Sequence, residues 1–327
     1  MRERCNQLDQ EYDFLTTEIF QHTPHPGISF SAVPGLRFIR RDDPSRQEKI
    51  LFPPSVCLVA QGQKHASIGS NPYEYGRGDF LLSCVEMPGA MRVDVDEGKP
   101  YLAMVIELDI ALLTQIFDEI DGREPVVPCQ SMDEAEDGVT SVDSPEAEQA
   151  TSASVLGAAS GSIRIGDVTP DMLNAFLRLA RIADDKVKAR FVAPLILREI
   201  HYYLASGPLG DYLRTFYDNS SQTRQIAKAV SYMREHCAKS LRIELLARMA
   251  NMAESTFNRN FKKVTSLSPL QYHKHLKLYE ARRLMLMEDM SSAEACVAVG
   301  YASQQQFTRE YKRLFGAPPM KDVRRNS

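Results

Sequence analysis

The 327-residue chain has no tryptophan and only six cysteines. Cys5, Cys57, Cys84, Cys129, Cys237 and Cys296 form no Cys-x-x-Cys pair. Spread this thinly, they read as buried or free thiols in a reducing cytosol. No apolar run approaches the roughly 18 residues that cross a bilayer. The opening MRERCNQLDQEYD is charged and lacks the apolar stretch of a signal peptide. A cytoplasmic protein without a membrane partner is expected. Catalytic signatures are also missing. No phosphate loop, Ser-His-Asp order or pair of catalytic carboxylates stands out. The chain is therefore read as a non-enzyme with no cofactor, no catalytic residue and no metal ligand.

What is present is a division of charge. The net charge is −4. From residue 222 onward the balance is +10, and before it −14. A basic module joined to an acidic partner is the footprint of nucleic-acid binding. An excess of Lys and Arg on solvated helix faces would give the same count.

Along the first third, Ile28–Phe30, Leu36–Ile39, Val56–Ala60, Phe80–Val85 and Leu102–Leu108 are apolar or alternating and rich in β-formers. Turn signals fall at Pro34-Gly35, Pro53-Pro54, Asn71-Pro72, Gly76-Arg77-Gly78-Asp79 and Pro88-Gly89. Short strands at this spacing predict a small antiparallel barrel or sandwich. After Asp109 the period becomes helical through Leu112, Leu113, Ile116, Phe117 and Ile120. From Gln130 to Ser162 there are seven acids, no Lys or Arg and no aromatic. Such a stretch buries too little apolar surface to offset its ordering entropy, so about 128–165 is read as a flexible acidic insertion. Helices resume around Met172–Ala180 and Val192–Leu204, the second stopped by Gly207-Pro208. These two either cover the core or form a dimerisation face, and at least one is assigned to dimerisation. Asp218–Gln222 reads as a linker.

The last third holds a repeat. Thr256-Phe257-Asn258-Arg259-Asn260-Phe261-Lys262-Lys263 is echoed 50 residues later by Gln306-Phe307-Thr308-Arg309-Glu310-Tyr311-Lys312-Arg313. Each copy has a short helix, a tight turn (Asn251-Met252-Ala253, then Gly300-Tyr301-Ala302-Ser303) and a second helix, about 254–264 and 304–314. This is the helix-turn-helix pattern. Asn or Gly tolerates the left-handed conformation that ends the first helix. Ser303 is a good N-cap; its counterpart Ala253 is not. One stripe of each second helix is apolar: Phe257, Phe261 and Val264, then Phe307, Tyr311 and Leu314. The other carries the residues expected to touch double-stranded DNA: Ser255, Asn258, Arg259 and Lys262, then Gln304, Gln305, Thr308, Arg309 and Lys312. Arg suits guanine edges and Asn or Gln adenine. Lysines nearer the C-terminal end suit phosphates, which position without specifying. Between the copies, Pro269–Met287 has a helical pattern; about 19 residues at 1.5 Å span roughly 28 Å. Successive major-groove faces lie about 34 Å apart. One rigid helix thus sets two reading helices into adjacent turns. A plain helical bundle is the competing reading.

With these residues in view, 224–325 resembles the AraC/XylS family of bacterial transcription regulators. The matching stretches are Leu246-Ala247, Phe257-x-Arg259-x-Phe261-Lys262, Ser268-Pro269-Leu270-Gln271-Tyr272, Glu280-Ala281-Arg282-Arg283-Leu284, Val299-Gly300-Tyr301 and Phe307-x-Arg309-Glu310-Tyr311-Lys312-Arg313-x-Phe315-Gly316-x-Pro318-Pro319. Ser266 stands where the family usually has Gly, Ala253 replaces a capping Ser, and Ala295-Cys296 replaces Ile-Ala. The N-terminal part is similar to one subgroup through Ser55–Lys64, Tyr73-Glu74-Tyr75-Gly76-x-Gly78-Asp79-Phe80 and Pro194–Tyr202.

The resemblance implies an α+β protein. A cupin-like antiparallel β-barrel with trailing helices senses and dimerises over 1–217. An all-α double helix-turn-helix module follows over 218–327. It implies a sequence-specific regulator with RNA polymerase as a partner, a small-molecule effector and a homodimeric state. The alternative is a cupin-like metal enzyme carrying a helical module, for which only His65 and Glu74 offer ligands. Arg37 and Arg41 could clamp an anion such as a cyclic dinucleotide, although exposed strand-end arginines are the commoner explanation.

Overall fold

The computed structural model describes residues 2–44, 47–69, 71–122, 162–218 and 221–326. It opens with helix α1 (Arg2–His22), followed by nine strands: β1 (Gly27–Phe30), β2 (Leu36–Arg41), β3 (Glu48–Phe52), β4 (Ser55–Gln61), β5 (Gln63–Ile68), β6 (Asn71–Gly76), β7 (Asp79–Ser83), β8 (Met87–Asp94) and β9 (Tyr101–Glu107). Helix α2 (Ile110–Ile120) and strand β10 (Ile163–Asp167) come next, then α3 (Pro170–Arg181), α4 (Lys186–Phe191), α5 (Ala193–Ser206) and α6 (Gly210–Tyr217). The rest is helical: α7 (Gln222–Glu235), α8 (Ile243–Met249), α9 (Glu254–Thr265), α10 (Pro269–Met287), α11 (Ser292–Ala298), α12 (Gln304–Phe315) and α13 (Pro319–Asn326).

The strands form two antiparallel sheets, in the orders β1-β2-β9-β4-β7-β10 and β3-β8-β5-β6. β4 and β9 are apolar on both faces because both faces are covered. Helix α1 lies across β2, β4 and β9 and packs on α3. The second sheet faces them from the other side. Lys64 of β5, buried between the sheets, donates toward Cys57 Sγ of β4 at 3.9 Å. Its ammonium lies over the rings of Phe52 and Tyr75.

Three expectations need correction. Asn71-Pro72 and Pro88-Gly89 are not turns but lie within β6 and β8. Proline is tolerated at both places because neither ladder needs its missing N–H. β6 is a sheet edge, and the pairing of β8 with β5 stops at Gly89, leaving Pro88 with a partner only in β3. Gly89 itself is needed, since a Cβ there would fall 2.8 Å from both the Phe52 ring and Ser67 O. Third, residues 163–165, expected in the flexible insertion, begin β10, which pairs in register with β7. Residues 128–161 of that insertion lie outside the described residues. Helix α1 was not foreseen, although Tyr12, Leu15 and Ile19 bury one helical face.

The buried apolar residues fall into two clusters. The larger runs without a break from Tyr12 through both sheets into α7, α8, α9 and the first half of α10. The smaller holds Leu278, Ala281, Leu284 and Met285 with Ala295, Cys296, Val299, Phe307 and Tyr311. The first helix-turn-helix therefore shares its core with the sheets, whereas the second has its own. Polar contacts reinforce the junction. Tyr272 OH donates to Glu86 O at 2.7 Å, Ser162 Oγ to Val264 O at 3.3 Å and Tyr279 OH to Gly89 O at 3.3 Å. Cys57, Cys84, Cys237 and Cys296 are free thiols. No described helix is long and apolar enough to cross a membrane.

Candidate nucleic-acid interface

Each repeat folds as helix, turn, helix. The turn residues adopt the left-handed region expected of them, Asn251 at φ 51° and Gly300 at φ 72°. At Gly300 the demand is also steric, because a Cβ would meet Ala238 O at 2.0 Å. Ser303 Oγ accepts from Gln306 N at 3.3 Å and caps α12. Ala253 gives α9 no side-chain cap. At the other ends, Gly316 (φ 80°) and Ser266 (φ 61°) both stop their helices in the left-handed conformation. For serine this costs about 1 kcal/mol that glycine avoids.

Packing fixes which face each recognition helix shows. Phe257 and Phe261 of α9, and Phe307 and Tyr311 of α12, are fully buried. The opposite face stays in solvent. Ser255, Asn258, Arg259 and Lys262 are exposed, as are Gln304, Gln305, Arg309 and Lys312; Thr308 is half-buried. All nine expected contact residues thus lie on the solvent side of their helices. Arg259 and Arg309 make no ion pair with any described residue. Asn258 Nδ2 donates to Glu254 O at 2.9 Å, and Gln304 Nε2 to Ser292 Oγ at 3.0 Å, so two of the polar readers are steadied by their own unit. Between the readers sit two structural positions. Asn260 is buried and donates to Gln222. Glu310 accepts from Tyr301 OH at 2.8 Å, and Lys274 lies 3.3 Å away. Burial alone would raise the Glu310 carboxyl, but hydrogen bonds from Gln306 and Tyr301 and the charge of Lys274 hold it below its usual range.

Helix α10 joins the units as one uninterrupted segment of 19 residues, capped by Ser268 with Pro269 in the first turn. The second unit is linked by a pair far apart in sequence: Arg282 of α10 finds its partner, Asp322, 40 residues on in α13. Arg282 Nε meets Asp322 Oδ2 at 2.8 Å, Tyr311 OH donates to the same oxygen at 2.9 Å, and the guanidinium covers the Phe315 ring. This buried network ties α10, α12 and α13 together.

The N-terminal residues once considered for ligands have other work. His65 Nε2 lies 2.7 Å from Asp94 Oδ2 and Nδ1 lies 3.6 Å from Glu74 Oε2, a cross-strand ion cluster. No group of three metal-ligating side chains gathers among the described residues. Arg37 pairs with Glu107 at 3.3 Å and Arg41 with Glu48 at 3.8 Å, so they do not converge on one clamp.

A family model for the AraC-type transcriptional regulator N-terminus matches residues 32–212, more than half the chain. The chain belongs to the AraC-type transcriptional regulators. A helix-turn-helix domain model matches residues 246–325, which contain both repeats. Among characterised relatives, the MmsAB operon regulatory protein of Pseudomonas aeruginosa is 35% identical over 89 residues, covering 27% of this chain and 29% of its own. The transcriptional regulator ExsA of the same species is 27% identical over 128 residues, 39% of this chain and 46% of its own. The matched stretch therefore spans less than half the length of either relative. In fold, the chain is similar to apo ToxT of Vibrio cholerae, with a TM-score of 0.55 at 7% identity over 88% of this chain and 97% of that one. ToxT with an unsaturated fatty acid bound is equally similar, with a TM-score of 0.55 at 9% identity over 88% and 93% of the two chains.

Proposed function

We propose that this AraC-type regulator binds double-stranded DNA in a sequence-specific way through α9 and α12, each in a major groove, one helical turn apart. The observation that carries the reading is the pair of exposed, cationic recognition faces at the two ends of one continuous helix. Arg259, Arg309, Asn258, Gln304, Gln305, Thr308 and Ser255 read base edges; Lys262 and Lys312 hold phosphates. Residues 1–217 form the sensing and dimerising domain, cupin-like in its paired sheets, and 218–327 the DNA-binding domain. A small-molecule effector acts through the first domain, RNA polymerase is the partner at the promoter, and the protein works in the cytoplasm without catalysing a reaction.

Dimerisation falls to α4 and α5. Helix α3 is buried beneath α1 and α5, but Val187, Phe191, Val192, Leu195 and Tyr202 remain exposed on one side of α4–α5. An apolar stripe of this length marks an interface. Selection of bound fragments from a genomic library tests the whole reading. It should recover sites with two half-motifs about 10–10.5 base pairs apart. Retention without sequence preference would overturn it. Stoichiometric iron, zinc or manganese in the purified protein would revive the metal-enzyme alternative.

A further inference from the structure

A buried carboxylate at the junction of the sheets and the helical module lacks part of its hydrogen bonding. Glu86 lies between β7 and β8, with its side chain 6% exposed. Its Oε2 is 3.0 Å from Arg234 of α7, whose side chain is 64% exposed. Its Oε1 is shut off from solvent and has no hydrogen-bond partner. An unsatisfied buried charged oxygen is rare and calls for an explanation. Glu86 also lines a cavity of about 210 Å³. The other walls are Leu276, Tyr279, Glu280 and Arg283 of α10, Leu51 of β3, Cys237 and the exposed Arg234. The charges around it do not balance on the Glu86 side. Glu280 is held by Arg283 in two hydrogen bonds at 3.0 and 2.7 Å, and Glu107 pairs with Arg37. Only the exposed Arg234 is left for Glu86, and an exposed partner compensates little. Burial, opposed by Arg234 and aided by Glu107 and Glu280, accordingly pushes Glu86 up to about 7.

We propose that this cavity is the effector site and that its ligand is a small organic cation, an alkylammonium that pairs with the Glu86 carboxylate. This rests on the reading of the chain as an effector-controlled DNA binder. The ammonium supplies a positive charge for Glu86 that does not sit in solvent, as Arg234 does. Tyr279 supplies an aromatic wall, and Leu51 and Leu276 take the alkyl part. An anion or a neutral alcohol would leave Glu86 uncompensated. The cavity draws its walls from both sheet-bearing and DNA-binding parts, so occupancy stabilises their docked arrangement by mass action. DNA affinity then changes by the factor by which DNA changes affinity for the ligand.

The test is calorimetric titration of the full-length protein at pH 8 with n-butylamine, 1-butanol and butyrate. Butylamine is expected to bind and the other two are not. Glu86→Gln should weaken butylamine at least about tenfold, while Glu97→Gln, at an exposed turn that does not line the cavity, should not. In the unaltered protein, affinity should fall about tenfold from pH 8 to pH 6, as Glu86 takes up its proton. That measurement stands even if Glu86→Gln fails to fold. Equal binding of butanol, no binding of butylamine, or binding unaffected by both pH and Glu86→Gln would overturn the site. Fragment selection reads DNA recognition separately, so the failure of one claim is not mistaken for failure of the other.

Discussion

Replacing Arg309 by alanine removes an exposed cationic reader of α12 without touching the core beneath it. The side chain is in solvent and makes no ion pair with any described residue, so the fold should lose no more than about 0.5 kcal/mol. A bidentate arginine-to-guanine contact is worth about 1–3 kcal/mol of discrimination. That is a loss of roughly 5- to 150-fold in affinity for the selected site. Affinity for unrelated duplex should fall far less, because phosphate contacts supply it. Arg259→Ala should do the same at the other half-motif. Lys312→Ala should instead weaken all sequences alike and lower the salt slope by about one. The assay is a gel shift against the selected site and a scrambled duplex at two salt concentrations, with circular dichroism to check folding. An Arg309→Ala protein that folds and keeps its preference for the selected site would refute the placement of α12. A uniform loss on both duplexes would demote Arg309 to a phosphate contact.

Three further outcomes follow from local physics. Ser266→Gly should stabilise the protein by about 0.5–1 kcal/mol in urea unfolding, since it relieves a left-handed serine at the end of α9; no gain would mean the surrounding packing sets that backbone. Asp322→Ala should cost about 3 kcal/mol, because it strands the Arg282 guanidinium and the Tyr311 hydroxyl in a buried site, and the second unit should lose protection from hydrogen exchange before the first. Glu86 should make stability fall as pH rises. Its native carboxyl, at about 7, binds a proton that the unfolded chain has already released above its ordinary 4.5, so the contribution is present at low pH and fades through that window. Glu86→Gln should flatten the profile between about pH 5 and pH 8 and gain on the order of 1–3 kcal/mol at the alkaline end. A variant with the unaltered pH profile would show that Glu86 does not titrate in this window.

The DNA-binding half was legible because its signal is a repeat. Two copies of the same apolar stripe and cationic face constrain each other, and the boundaries of α9, α10 and α12 came within one residue, whereas α7 and α13 were not read. The five strongest strands were legible for a similar reason, being continuous apolar runs such as Val56–Ala60. β5, β6 and β8 were not. Gln63-Lys64-His65-Ala66-Ser67-Ile68 and Asn71-Pro72-Tyr73-Glu74-Tyr75-Gly76 mix polar, Pro and Gly residues that locally favour turns. Pairing across the second sheet overrides that preference. Helix α1 hid its three-residue apolar stripe in a charged segment. The Arg282–Asp322 pair and the Glu86 cavity could not be read at all. Each joins residues far apart in sequence, and nothing local marks either partner. Ser303 and Gly316 bound α12 better than Ala253 and Ser266 bound α9, but α9 is the one anchored in the larger shared core.

That shared core redraws where the protein can be divided. The chain's composition changes near residue 218, and a fragment starting there would look like a natural module. Its first unit would be born with an open wound, since the surfaces of α7, α9 and α10 that face the sheets belong to the larger cluster. The natural seam lies instead within α10, between Leu276, the last α10 residue of the larger cluster, and Leu278, the first of the second unit's own core. Isolated DNA-binding fragments should therefore be sticky and poorly behaved unless the sheet-facing side is made polar, and the intact protein should come apart from its C-terminal end inward.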